Sequence, residues 1–123
     1  MPIPRQQSSR AEVLTKALIR AAERLGLSRQ ELAATLGLSP ATLSRMYSGR
    51  YVLDENSKCW ELAALLVRLY RGLDAIVAGD ERTLQAWIRN PNIDLHGVPA
   101  ELIEHISGLN TVVAYVDANR ARI

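Results

Sequence analysis

Residues 29–48 read RQELAATLGLSPATLSRMYS, and the spacing of capping, small and apolar residues in this stretch decides the fold. Ser28, immediately before it, stands three residues ahead of Glu31, the capping-box pattern that opens a helix. Gly37 suits the left-handed turn that closes one. Ser39 then offers a second N-cap, and Pro40 falls at the first helical position, where its missing N–H costs nothing. Two short helices joined by a tight turn result. Ala33 is the small residue needed where they cross, four before the turn glycine. Leu32, Leu36, Leu38, Leu43 and Met46 fill the places where apolar side chains lock the pair together. This is the pattern of a DNA-binding helix-turn-helix.

Working outward, residues 1–8 hold two prolines and read as a loose tail. Ser9 with Glu12 repeats the capping-box pattern, and Val13, Leu14, Ala17, Leu18, Ala21 and Leu25 follow at helical spacing until Gly26. On the other side, residues 50–56 form a connector. A long helix is predicted from about Ser57 to Val77. Its apolar set, from Trp60 to Val77, is too broad for the stripe of a surface helix. It is therefore either the centre of the core or a helix burying a second face in a dimer. Asp80 caps a further helix to about Arg89, a short one starts near Pro99, and a last one runs from about Leu109. No strand pair with turn signals occurs, so the fold class is all-α.

Length and composition narrow the function classes. The chain has 123 residues, 48% of them hydrophobic, enough for a core. With no phenylalanine, that core is aliphatic. The single cysteine, Cys59, excludes an intramolecular disulfide and points to a reducing compartment, so a cytoplasmic location is expected. No apolar run is long enough for a membrane span, and the N-terminus lacks the apolar region of a signal peptide. Residues 1–50 carry eight basic and three acidic side chains, a balance of +5, whereas residues 51–123 carry seven and ten, a balance of −3. A basic half joined to an acidic one implies two partners, the first a polyanion.

In a helix-turn-helix the second helix enters the major groove, which turns Ser39, Ala41, Thr42, Ser44, Arg45 and Ser48 toward DNA. Arg45 is the expected base contact, because a guanidinium can pair bidentately with guanine. Thr42 suits a thymine methyl or a phosphate. Arg29 and Arg50, flanking the pair of helices, are expected on phosphates, as are Ser39 and Ser44. Ser48 alternatively caps the helix. Binding by one such module is weak, so a homodimer is expected, with Tyr47 and the 57–77 helix supplying apolar surface.

Nothing in the chain suggests an enzyme. His96 and His105 are nine apart, not at the three- or four-residue spacing of a helical metal site, so neither a metal nor a cofactor is expected. No phosphate-cradling glycine loop, nucleophile elbow or paired catalytic carboxylates occur, and no catalytic residue is assigned. Cys59 beside Trp60 on an apolar helix reads as a buried, inert thiol. Trp87 reads as a packing anchor under the mixed loop at 90–98, with Asn90 and Asn92 capping its turn.

The helix-turn-helix resembles the Xre/phage-repressor type. The second half resembles the C-terminal, toxin-binding domain of Xre/MbcA/ParS-type antitoxins. The likeness rests on Trp87, Asn90-Pro91-Asn92, Leu95, Gly97, Pro99, Leu102, Gly108-Leu109 and Tyr115-Val116-Asp117 with Arg120. Val116 in place of a leucine is a small departure. The resemblance implies an antitoxin of a RES–Xre type II toxin–antitoxin module. Its partner would be a RES-domain toxin, a fold associated with NAD degradation, whose active site the antitoxin covers. Its other partner would be the operator DNA of its own operon. Trp87, Asn92, Tyr115, Asn119, Arg120 and Arg122 are the toxin-binding residues this implies. The expected organisation is a tail at 1–8, a helix-turn-helix module at 9–52, a central dimerisation helix at 53–79 and a toxin-binding domain at 80–123. The competing reading is a stand-alone dimeric repressor, whose C-terminal half only dimerises or senses a ligand. A small hydrolase is a third, disfavoured by the missing catalytic groups.

Overall fold

The computed structural model describes residues 5–121, with side chains from 10 to 120. Among the described residues seven helices follow one another: α1 (Arg5–Leu25), α2 (Arg29–Leu36), α3 (Pro40–Tyr47), α4 (Lys58–Ile76), α5 (Glu81–Arg89), α6 (Pro99–Leu102) and α7 (Ile106–Ala121). Among the described residues there is no strand, and an isolated bridge joins Asn92 and Gly97.

The punctuation marks act as the sequence implies. The Ser28 hydroxyl accepts from the Glu31 backbone N–H at 3.1 Å, and the Glu31 carboxylate accepts from the Ser28 N–H at 2.8 Å. Gly37 closes α2 in the left-handed region at φ 68°, and Ser39 caps α3 through the Thr42 N–H at 3.1 Å. Leu32, Ala33, Leu36, Leu43 and Met46 are buried and Leu38 half-buried, so the apolar places do lock α2 to α3.

Helix α4 is the centre of the core. Its main packing partners are α7 on one side and α1 on the other. Leu62, Leu66, Leu69 and Leu73 are all buried within the chain, each contributing about 1.5–3 kcal/mol of transfer free energy. The side chains of α7 come so close to α4 that a Cβ on Gly72 would lie 2.7 Å from a Val116 methyl. The broad apolar set is thus explained by two neighbours inside one chain. Only Trp60, Leu65, Tyr70 and Val77 of it stay half-buried, with Ile76 at the exposed end.

The connector is pinned by one buried hydroxyl. Thr15 on α1 donates to the Ala11 carbonyl at 2.7 Å and accepts from the Leu53 N–H at 3.1 Å. Leu53, 1% exposed, drops into the core beside it. A hydroxyl so placed has both its donor and acceptor needs met, which is what burial requires.

Two helix starts differ from the sequence reading. Residues 5–8 of the expected tail already belong to α1, so Ser9 lies within the helix and is not its cap; residues 1–4 lie outside the described residues. Helix α7 begins at Ile106, three residues before Leu109. Gly108 therefore lies inside its first turn. It is needed there because α7 crosses the end of α6 closely: a Cβ on Gly108 would stand 2.0 Å from the Leu102 carbonyl oxygen.

The helix-turn-helix is bolted to the second half by arginines. Arg89 at the end of α5 donates to both oxygens of Glu31, one at 2.7 Å, and to the Gly26 carbonyl. Arg24 on α1 reaches the Tyr70 hydroxyl at 3.2 Å, Asp74 at 3.1 Å, the Gly79 carbonyl at 3.2 Å and Glu81 at 3.4 Å. The Arg89 guanidinium lowers the Glu31 carboxyl from the ordinary 4.5 to about 2. A depressed carboxylate stabilises the fold above its unfolded pKa and loses that contribution as pH falls through the folded one. Arg89→Ala should cost about 1 kcal/mol near neutrality, the partial exposure of both groups reducing the value of a charged bond. The gap between wild type and variant should close between about pH 4.5 and 2. Denaturant melts of both proteins across that range check this; a gap independent of pH would refute it.

Candidate functional site

The α3 face presents the expected residues together. Arg29, Ser39, Ala41, Ser44, Arg45, Ser48 and Arg50 are exposed and Thr42 is half-buried. Their side chains form a ladder. Ser39 donates to the Thr42 hydroxyl at 2.9 Å, and Arg45 donates to the same oxygen at 3.1 Å. Ser48 donates to the Arg45 carbonyl at 3.0 Å, and Arg50 donates to the Ser48 hydroxyl at 3.1 Å. Arg45 is thereby held along α3 with other guanidinium N–H groups left over, since arginine carries five. Thr42 and Ser48 act mainly within the ladder, Ser48 also closing α3 as its C-cap. Arg29 lies over the Tyr47 ring, 4.2 Å from its centroid, which fixes a cation at the edge of the same face. The Tyr47 hydroxyl is pushed up by burial, and its ring is occupied by Arg29.

On the opposite half, Trp87 and Tyr115 stack with centroids 6.4 Å apart and planes 23° from parallel. With Leu73, Ile76, Val77 and Asn119 they border a shallow cleft between α4, α5 and α7. Asn119 donates to the Tyr115 carbonyl at 2.8 Å, which orients its remaining carbonyl oxygen. The loop beside the cleft is tied to itself. Asn92 exchanges backbone bonds with Gly97 at 2.8 and 3.3 Å, and its side chain accepts from the Leu95 N–H at 3.1 Å. Leu95 is buried beneath, and His96 completes the turn in the left-handed region at φ 58°. Tyr115 donates to Asp94 at 2.8 Å, and the carboxylate beside it holds the phenol above its ordinary range.

The expected partner-binding residues therefore divide. Trp87, Tyr115 and Asn119 border one cleft, and Asn92 lies in the loop beside it. Arg120 does not join them; it borders a separate groove with Arg10, Arg68 and Arg71. Arg122 lies outside the described residues. The sequence reading missed Asp94 as the Tyr115 partner, and it passed over Arg68 and Arg71. A signal for those two existed, since they are cations three apart within the mostly apolar run from Leu62 to Leu73.

Among the described residues no three His, Cys, Asp or Glu side chains converge on a possible metal position. His96 and His105 are exposed. Cys59 is buried, and burial pushes its thiol pKa up, away from the reactive thiolate. No helix among the described residues is long and apolar enough to cross a membrane.

Two family models match. Residues 4–68, more than half of the chain, match the antitoxin Xre-like helix-turn-helix domain. Residues 73–122 match the antitoxin Xre/MbcA/ParS C-terminal toxin-binding domain. The junction falls within α4, the helix common to both cores. No curated protein matches the chain.

The Tyr115–Asp94 bond braces the loop against α7, so Tyr115→Phe should free it while leaving the helices intact. Amide exchange across residues 92–97 should quicken, with a stability loss of no more than about 1 kcal/mol because the bond is exposed. Hydrogen-exchange mass spectrometry reads the difference; unchanged exchange there would show that the bond does not hold the loop.

Proposed function

The chain belongs to the family of Xre-type antitoxins, with an Xre-like helix-turn-helix followed by a toxin-binding domain, and on that premise we propose that it neutralises a RES-domain, NAD-degrading toxin and represses its own operon. The observation that carries this reading is the presence of two separate, chemically different faces on one core. One is a cationic ladder on α3, the other an aromatic cleft beside α7.

On DNA, α3 enters the major groove and Arg45 reads a guanine edge while its Thr42 bond sets the direction of approach. Arg29 and Arg50 contact phosphates on either side, and Ser39 and Ser44 lie close enough to the backbone to add hydrogen bonds. Two copies are required for useful affinity, each reading a half-site. On the toxin, Trp87, Tyr115 and Asn119 supply a surface with aromatic area and oriented polar groups, the composition favoured at protein interfaces. Asn92 contributes through the shape of the loop, because its side chain is already bonded to Leu95. The antitoxin covers the active-site cleft and excludes the dinucleotide.

Co-expression with the cognate RES-domain toxin tests the first half: a stable complex and restored growth are expected. A chain that never retains the toxin is a stand-alone repressor. For the second half, Arg45→Ala should weaken binding to the operon's own promoter by about 1–3 kcal/mol, roughly 5- to 150-fold. A gel shift at fixed salt measures this, and undiminished specific binding removes Arg45 from the recognition set.

A further inference from the structure

A groove of about 510 Å3 opens between α1, α4 and the end of α7. Its rim carries Arg10, Arg68, Arg71 and Arg120, one or more from each of the three helices. Its floor is apolar, built from Val13, Ala17, Trp60 and Val67. Val13 is 62% exposed, a large aliphatic side chain on the helix whose Leu18 and Leu25 are in the core. Arg10 lies over the Trp60 ring at 5.9 Å. Internal acids answer only part of this charge. Arg68 pairs with Asp117 at 2.7 Å and Arg10 with Glu55 at a loose 3.9 Å. Among the described residues Arg71 and Arg120 form no ion pair.

An apolar trough rimmed by cations has the form of a helix-in-groove site for an amphipathic segment bearing acidic residues along its edges. We propose that this groove receives an acidic amphipathic segment of the toxin, extending the toxin interface beyond the C-terminal domain onto α1 and α4. The proposal rests on the antitoxin reading. Continuity supports the choice of occupant: consecutive residues of α7 serve both surfaces, with Asn119 at the aromatic cleft and Arg120 at the groove. A toxin seated on the cleft therefore reaches the groove by wrapping around α7. Nucleic acid is the poorer fit, because a phosphate backbone has no use for the aliphatic floor. The groove also opens on a different face of α1 from the one bearing Lys16 and Ile19 beside Tyr47 of α3.

The test uses full-length antitoxin and purified RES-domain toxin, with two variants at exposed positions of α4. Arg71→Glu reverses the rim charge, and Ala64→Trp fills the trough. Each should weaken the complex on the order of tenfold or more by calorimetric titration, whereas Arg71→Lys should restore most of the affinity. Raising the salt concentration should narrow the difference for Arg71→Glu and leave that for Ala64→Trp. Circular dichroism melts verify folding. If wild type itself binds no toxin, the antitoxin reading fails. If wild type binds and both variants bind equally well, the groove proposal alone fails. Variants that alter only self-association or only operator affinity also overturn it, assigning the groove to a second copy or to nucleic acid.

Discussion

Burial of α4 on two sides is the constraint on which the rest of the molecule depends. Helices α2 and α3 have eight residues each and are too short to persist without tertiary support. Helix α2 packs on α3 and directly on α4, and α1 closes against α4 as well. The C-terminal helices have the same dependence, since α7 finds its largest partner in α4. The two regions matched by separate family models are therefore not two independently cored modules. They are two sets of helices that bury their apolar faces on opposite sides of one nineteen-residue helix. Gly72, flush against Val116, shows how little room that arrangement leaves.

Arginine does two different things on this scaffold. Arg24 and Arg89 are directed across the surface at other helices, which supply their carboxylate partners Asp74, Glu81 and Glu31. They fasten the first half to the second at two places, through bonds that a lysine could not reproduce in number or direction. Arg45, Arg50, Arg71 and Arg120 have no such carboxylates among the described residues. The positive balance of the first fifty residues survives these clamps, since the Arg24 charge is met by acids of the second half while the Glu31 charge is met by Arg89. Part of that charge, Arg29, Arg45 and Arg50, lies on α3 and its flanks, where a cation adds to affinity for a phosphate backbone.

The sequence was legible wherever local chemistry decides the outcome. Ser28, Gly37, Ser39 and Pro40 punctuate the helix-turn-helix through bonds reaching no more than a few residues, so their spacing suffices. The two missed helix starts have a common cause. Ser9 and Leu109 were plausible starts by local pattern, but nothing in Ser9–Glu12 alone reveals that the chain before it is already helical. The role of Gly108 is likewise set by Leu102 approaching from another helix. The two readings left open for α4 were separable only by knowing what covers it. Arg120 was grouped with Asn119 because they are neighbours in sequence; on a helix, neighbours point about 100° apart, and here that separates two surfaces.

The mixed loop at 90–98 illustrates why polar composition is a poor guide to chemistry. Asn92, Asp94 and the backbone of Gly97 are engaged in holding the loop's own shape. What the loop turns outward is Ile93, 89% exposed, beside a stack of two aromatic rings. A surface of that kind favours a partner that buries apolar area, and its bracing lowers the ordering entropy lost on binding. The same rigidity bears on how toxin and DNA binding would influence one another. Conformational coupling would need a second packing of the body that Arg24 and Arg89 clamp, with different ligand affinity in each state. Coupling would instead arise from assembly. A toxin that fixes the distance between two antitoxin copies sets the spacing of their α3 helices, and an operator with half-sites at that spacing is then bound with the added strength of bivalency.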